Sequence, residues 1–497
     1  MEKVNLLVLA ENNIMENYKL PDFVEVTYEG EWFERKRFIY DIAIIDRALD
    51  DFDAKYLKKM LRAYTFFVTE RVDITGNVTD LLMCKMGSIL KTSNIQTFLD
   101  NDIEYYFAGS YGEKVRPDYF LVSKDFAGKV QWNGGVDINL EGDFGDEFNQ
   151  ITYVKYNYPI FNGRTVALWM EYEKDASVEI RINVKQFAPG SLDAVIKTWD
   201  FSEKDMVDEV QIKNPSMDGP LFISVLAKGE GKLKIRGLHL RWSRMNHGAF
   251  MPGGIRAVTS DRQEVFAYFD PGDMKPPLNV YFSGYKTQEG FEAYYMMRGM
   301  GSPFLLIAET RIEGGGFYMG SEEYEGLIKD LINELMEKLN FTSDDVVMAG
   351  LSMGTYGALY YGCDFTPHAL LLGKPLASIG NVARNEKMNR PGGFPTSLDV
   401  LKNVEKSINA EAVKALNNRF WDKFDAADFS KTKFIMSYMI EDDYDMDAYE
   451  MIISHLKSTG VKAYGKGIHG RHNDNTSSIV SWFSSQYKKM MAEDFER

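Results

Sequence analysis

The chain of 497 residues is poor in the features that mark several protein classes. It holds two cysteines, Cys84 and Cys363, too few for a disulfide framework, so a reducing compartment is expected. No apolar run approaches the roughly 18 residues of a membrane-spanning helix. The opening Met1-Glu2-Lys3-Val4-Asn5-Leu6-Leu7-Val8-Leu9-Ala10-Glu11 lacks the long apolar core and cleavage site of a secretory leader, and a cytoplasmic protein is expected. Basic residues are outnumbered, 57 against 73, which gives a net charge of −16 and argues against bulk nucleic acid or anionic lipid as partner. What remains is an ordinary globular composition, 45% apolar and 26% charged. The length exceeds what one core can serve, so about three domains are expected.

The hydrophobic period changes twice along the chain. Residues 1 to about 120 alternate buried-strand runs with amphipathic stretches, as in a small α/β, flavodoxin-like domain. Val4–Ala10, Ile39–Asp46, Ala63–Thr69 and Glu104–Ala108 read as parallel strands, and Asp53–Arg62 as a helix. Ala10-Glu11-Asn12-Asn13 after the first strand lacks the glycines of a dinucleotide site, which favours a structural or docking role. Residues about 121 to 250 alternate with period two, as in Val178, Ile180, Ile182 and Val184. With Thr165–Tyr172, Leu221–Ala227 and Lys232–Trp242 as further strands and Lys228-Gly229-Glu230-Gly231 as a turn, they predict a β-sandwich. Trp132, Trp169, Trp199 and Trp242 lie here; core positions are expected, although exposed faces would make the domain carbohydrate-binding-like.

Residues about 251 to 497 return to strand–helix alternation. Strands are expected at Leu278–Ser283, Phe304–Ala308, Val346–Ala349, Ala369–Leu372, Phe434–Ile440 and Val461–Tyr464. Val346–Ala349 runs into Gly350-Leu351-Ser352-Met353-Gly354, followed by a helix. The G-x-S-x-G pattern alone is weak, because 41 glycines invite chance matches. Placed between strand and helix with two αβ units upstream, it reads as the nucleophile elbow of an α/β-hydrolase. That fold requires an acid after a later strand and a histidine before the last helix. Glu441-Asp442-Asp443 and His469/His472 occupy those places. His472 is preferred over His469, being nearer the helix start. Asp442 is preferred, with Asp443 second and Glu441 third. His239, His247, His368 and His455 read as structural. The oxyanion donors should be the backbone N–H of Met353 and, from the loop after Gly284, of Tyr285. Gly314-Gly315-Gly316 lies one strand too late for that role. Residues about 375–430, with Pro391-Gly392-Gly393, form a candidate lid. Asp443, Asp445 and Asp447 alternate like a calcium loop, but Ala448 and Ser454 stand where glycine and glutamate are needed. His469-x-x-His472 has no third ligand. No metal and no resident cofactor are expected.

At Gly350-Leu351-Ser352-Met353-Gly354-Thr355-Tyr356-Gly357-Ala358-Leu359-Tyr360-Tyr361-Gly362 and Gly467-Ile468-His469-Gly470-Arg471-His472-Asn473-Asp474-Asn475 the chain resembles the second family of accessory Sec system proteins of Gram-positive cocci. The resemblance covers the whole chain. It implies a cytoplasmic protein, peripheral at the membrane translocase, that works with sister accessory Sec proteins and the accessory Sec motor ATPase. It implies support for export of serine-rich-repeat adhesin glycoproteins and O-acetylation of their N-acetylglucosamine through a triad of Ser352, Asp442 and His472. Acetyl-CoA is a candidate acetyl donor, as substrate. A carbohydrate esterase with the same triad, or a non-catalytic export scaffold on a hydrolase fold, are the alternatives.

Overall fold

The computed structural model describes residues 3–28, 40–160, 163–191, 193–213, 217–457 and 460–497. The described strands form three sheets. The first is parallel and comprises Val4–Ala10, Val24–Tyr28, Ile42–Asp46, Phe66–Thr69 and Ser88–Leu90, in the order 2-1-3-4-5 of flavodoxin-like folds. Ile39, expected to open the third of these strands, lies outside the described residues. The helix Asp51–Met60 is capped reciprocally by Asp50 and Asp53 and buries Leu57 and Met60. Glu104–Ala108 is not a strand. It forms a short helical turn and a loop, because the Tyr105 and Phe107 carbonyls accept hydrogen bonds from the Arg244 guanidinium (2.8 and 3.0 Å) instead of from a neighbouring strand.

Ten strands between Gly112 and Trp242 belong to the second sheet. The two strands expected on either side of Lys228–Gly231 are one long strand, Gly219–Trp242. Gly229 and Gly231 take positive φ (93° and 147°), and the pairing register breaks on both sides of Gly229, so the segment bulges and does not reverse the strand. The strands therefore form a single hydrogen-bonded sheet, whose apolar faces share one buried cluster that includes Ile180, Ile182, Val225 and Leu233. Of the four tryptophans Trp169 is buried, Trp199 and Trp242 are half-buried, and Trp132 is 44% exposed.

The third sheet contains β1 (Ile255–Val258), β2 (Glu264–Asp270), β3 (Leu278–Phe282), β4 (Phe304–Glu309), β5 (Val346–Leu351), β6 (Ala369–Gly373), β7 (Lys433–Met439) and β8 (Ala463–Ile468). Its order is 1-2-4-3-5-6-7-8, with β2 antiparallel to both its neighbours and β3 to β8 parallel. This is the α/β-hydrolase arrangement. Strands β1 and β2 went unread in the sequence. The central strands are buried throughout and mostly apolar, as burial on both faces demands, with Asn279 and Glu309 as buried polar exceptions. The covering helices are amphipathic: α1 (Glu322–Leu339) is capped by Ser321, has three glutamates in its first turn, and buries Tyr324, Ile328 and Ile332 at fourfold spacing.

Second and third sheets are joined by buried charge. Arg241, on the long strand, bonds Glu264 of β2 through two nitrogens (2.8 and 2.6 Å) and Glu289 through a third (2.5 Å). His239, two residues earlier and fully buried, lies between Glu289 (2.5 Å) and Glu171 (2.8 Å). Burial works against its charged form, but the carboxylates, Glu289 foremost, hold it above its ordinary pKa. Arg241→Met removes the guanidinium from Glu264 and Glu289 in the interior, leaving Glu264 to Arg256 and Glu289 to His239. It is expected to lower stability by about 3–5 kcal/mol, measured by guanidinium unfolding followed by tryptophan fluorescence.

Candidate active site

Strand β5 ends at Leu351 and helix α2 (Met353–Phe365) begins two residues later, so Ser352 alone makes the turn. It does so at φ 53° and ψ −121°, a conformation that costs a non-glycine residue roughly 1–3 kcal/mol. The strain is held from several sides. Ser352 N–H donates to the Gly373 carbonyl of β6 (2.8 Å), and the Ser352 carbonyl accepts from the Thr355 N–H (2.9 Å) and hydroxyl (2.6 Å). The flanking glycines are there for space. A Cβ on Gly354 would fall on the Phe282 carbonyl of β3, and one on Gly350 on the backbone of Gly354.

The parallel sheet brings the ends of β5, β7 and β8 together. Ser352 Oγ–H donates to His472 Nε2 (2.8 Å), and His472 Nδ1–H donates to Asp442 Oδ2 (2.8 Å). That tautomer follows because an ionised carboxylate can only accept. Asp442 Oδ1 accepts from the Tyr444 N–H (2.8 Å), which fixes the carboxylate's orientation. His472 is wholly buried and its ring stacks on Tyr444, 4.2 Å between centroids and 6° between planes. The neighbouring acids serve elsewhere. Asp443 accepts from the His472 backbone N–H (3.0 Å), and Glu441 pairs with the exposed His469 (2.9 Å). His239, His247, His368 and His455 each meet a carboxylate away from Ser352.

A cavity of about 530 Å³ opens onto Ser352 and is also lined by Met353, Tyr285, Lys374 and Phe394. Met353 is the first residue of α2, so its N–H has no intrahelical acceptor. In the β3 loop the Gly284 N–H is used by Glu292 (2.8 Å) and the Lys286 N–H by the Gly314 carbonyl (3.4 Å). Tyr285 lies between them with its N–H unengaged among the described residues. Two residues went unnoticed in the sequence. Tyr444 braces the histidine, and Lys374, just past β6, extends Nζ to Thr476 Oγ1 (3.3 Å) at the cavity wall. Burial pulls the Lys374 ammonium down from its ordinary value, with Asp442 opposing. No single residue type or spacing marks either position.

The insertion carries three helices, α3 (Ile379–Met388), α4 (Thr396–Glu405) and α5 (Ala410–Ala426). It contributes Gly393, Phe394 and Pro395 to the cavity wall. Asp399 on α4 accepts from Gly135 N–H of the second sheet region (2.9 Å). Asp445, three residues after Asp442, accepts from the Ala377 and Ser378 N–H groups just ahead of α3 (2.8 and 2.7 Å). The grouping of Glu171, His239 and Glu264 has ligand-like spacing, but Arg241 and Lys114 already occupy its carboxylates.

The chain matches the family described as "Accessory Sec system GspB-transporter" over residues 5–497. It belongs to that family. It is 42% identical over 392 residues to the second accessory Sec system protein of Staphylococcus aureus (strain NCTC 8325 / PS 47), covering 79% of this chain and 75% of that one. The corresponding accessory Sec system protein of Streptococcus gordonii is likewise 42% identical, over 391 residues, covering 79% and 76%. Among solved structures, the Glycosylation Associate Protein (Gap123) complex from Streptococcus agalactiae superposes with TM-score 0.90 at 33% identity, covering 100% of this chain and 99% of that one. The fold of this accessory Sec family member is therefore that of a solved relative along its whole length. None of its described helices is long and apolar enough to cross a membrane.

Two outcomes are expected of the site. Gly354→Ala forces the elbow off the Phe282 carbonyl and is expected to cost about 1–3 kcal/mol and to abolish labelling of Ser352 by a fluorophosphonate, read by intact mass. Burial raises the Asp445 carboxyl to about 6, above the unfolded value of about 3.8, despite the two N–H donors. The folded state thus binds the proton more tightly, and this contribution is complete below about pH 4 and lost as pH rises through 6. Asp445→Asn should flatten that fall, measured as unfolding midpoint against pH.

Proposed function

We propose that this protein is an O-acetyltransferase of serine-hydrolase type that acts on N-acetylglucosamine of serine-rich-repeat glycoproteins and supports their export. The observation that carries the reading is the unbroken relay from Ser352 through His472 to Asp442, opening into a cavity at the carboxyl ends of β5, β7 and β8. In the first half-reaction His472 takes the proton of Ser352 as Oγ attacks the acyl carbon of a donor, for which acetyl-CoA is the candidate. The developing oxyanion is met by the N–H groups of Met353 and Tyr285, and Asp442 stabilises the imidazolium. His472 then protonates the departing group and leaves an acetyl-serine. In the second half-reaction a sugar hydroxyl gives its proton to His472 and attacks the acetyl carbon. The ester passes to the sugar and Ser352 recovers its proton. If water takes the place of the sugar, the same site is a carbohydrate esterase.

A docking role stands beside the chemistry, favoured by family membership and by the solved relative's occurrence in a complex. We infer that sister accessory Sec proteins bind surfaces away from the cavity, on the cytoplasmic side of the translocase with its motor ATPase.

Ser352→Ala is expected to abolish acetylation of the adhesin glycan, read by mass spectrometry of the exported glycoprotein, while leaving the amount exported unchanged. His472→Ala should act in the same way. Acetylation persisting in Ser352→Ala would leave only the scaffold role. Hydrolysis of acetylated sugars without transfer to an acceptor would make the protein an esterase.

A further inference from the structure

A cavity of about 610 Å³ lies far from Ser352 in the fold. It lies on the seam between the first domain and the third sheet. One wall is the helix Asp51–Met60 and the segment after the helix Gly76–Cys84; the other is the end of β2 and the start of β4. Asp270 closes β2 and is paired with Phe304, which opens β4. Both therefore sit at the amino-terminal edge of the parallel strands, whereas Ser352 follows the carboxyl end of β5. Arg298 fastens the seam, donating to the Leu61 carbonyl (3.0 Å) and to that of Lys59.

The charge of this cavity is opposite to that of the chain. Lys55, Lys58, Lys59, Lys85 and Arg298 line it, against Asp270 and Asp273. Asp273 is already paired with Arg497 (2.7 Å). In a protein with 73 acidic residues, none of the four lysines forms an ion pair among the described residues. Lys85 is the telling one. It is only 5% exposed, its ammonium makes no hydrogen bond among the described residues, and burial pulls it below its ordinary pKa, with Asp270 opposing. Asp270 Oδ2 is buried without a partner among the described residues. A carboxylate oxygen buried without a partner, beside an ammonium whose side chain is almost wholly buried and makes no hydrogen bond among the described residues, is costly unless something else completes it. The ring of Tyr295, 70% exposed, stands at the rim.

We propose that this cavity binds a small organic phosphate that also carries hydroxyl groups. A phosphate monoester brings a charge near −2, enough to engage several ammonium groups at once. A ligand hydroxyl supplies the donor that Asp270 Oδ2 lacks, and Tyr295 offers a face to the carbon skeleton. The volume falls within the range of small-molecule sites. The proposal is independent of the chemistry at Ser352.

Calorimetric titration of the full chain tests it, with glucose 1-phosphate as probe and glucose and inorganic phosphate as comparison arms. Saturable binding of glucose 1-phosphate is expected, with weaker binding of phosphate and none of glucose. Lys55→Gln combined with Lys58→Gln, both exposed and so compatible with folding, should weaken it about tenfold or more. Lys85→Gln should do so further, and Ser352→Ala not at all. Absence of saturable binding, indifference to the lysine substitutions, or loss in Ser352→Ala would each overturn the site. Phosphate binding as tight as glucose 1-phosphate would overturn the role given to the hydroxyl groups and Asp270.

Discussion

The candidate active site depends on one backbone conformation. Ser352 is held at positive φ between a strand that cannot bend and a helix that starts at once. Everything around it serves that turn. Gly350 and Gly354 remove the two Cβ atoms that would push the helix off β3, the Gly373 carbonyl anchors the Ser352 N–H, and Thr355 ties the carbonyl back. In return the turn lifts Oγ above the sheet edge and aims the first N–H groups of α2 into the same cavity. Strain at one residue thus preorganises two parts of the candidate site, the Ser352 hydroxyl and the helix-terminal N–H groups beside it.

The sheet order carries the second constraint. Because β5, β7 and β8 are parallel, their carboxyl ends share an edge, and residues 120 positions apart meet at 2.8 Å. Buried ionic contacts then weld this sheet to the one before it. Arg241 and His239 on the long strand meet carboxylates supplied from both sides of the boundary. Such contacts contribute little net stability over apolar packing but tolerate no missing partner. They fix how the two sheets face each other.

Legibility in the sequence follows this logic. The elbow could be read because its glycines are obligatory at fixed spacing, and the order of elements then confined acid and histidine to short segments. Choosing among Glu441, Asp442 and Asp443 needed coordinates, since adjacent residues on a turn differ only in direction. Tyr105, Tyr106 and Phe107 imitated a strand because aromatic burial looks alike whether a sheet or an arginine satisfies the backbone. Gly229 and Gly231 imitated a turn because a bulge and a reversal ask for the same positive φ. Strand β1 carries little hydrophobic signal, being four residues long and partly exposed, and β2 follows it close to the expected boundary at 250. Lys374, Lys85 and Asp270 left no trace in the sequence, because their significance lies wholly in what they fail to touch or in a cavity wall they share.

The loop from Asp442 to Asp445 has two attachments. Its first residue orients His472, and its last accepts the N–H groups just ahead of α3, while Tyr444 between them is stacked both on His472 and on Phe394 of the insertion (5.3 Å between centroids). Access and reactivity are therefore mechanically opposed. Swinging the insertion outward to admit a bulky molecule would drag on the same few residues that keep the imidazole upright. A protein built this way is armed when shut and slack when open, so that a nucleophile exposed to bulk water would be one already deprived of its base.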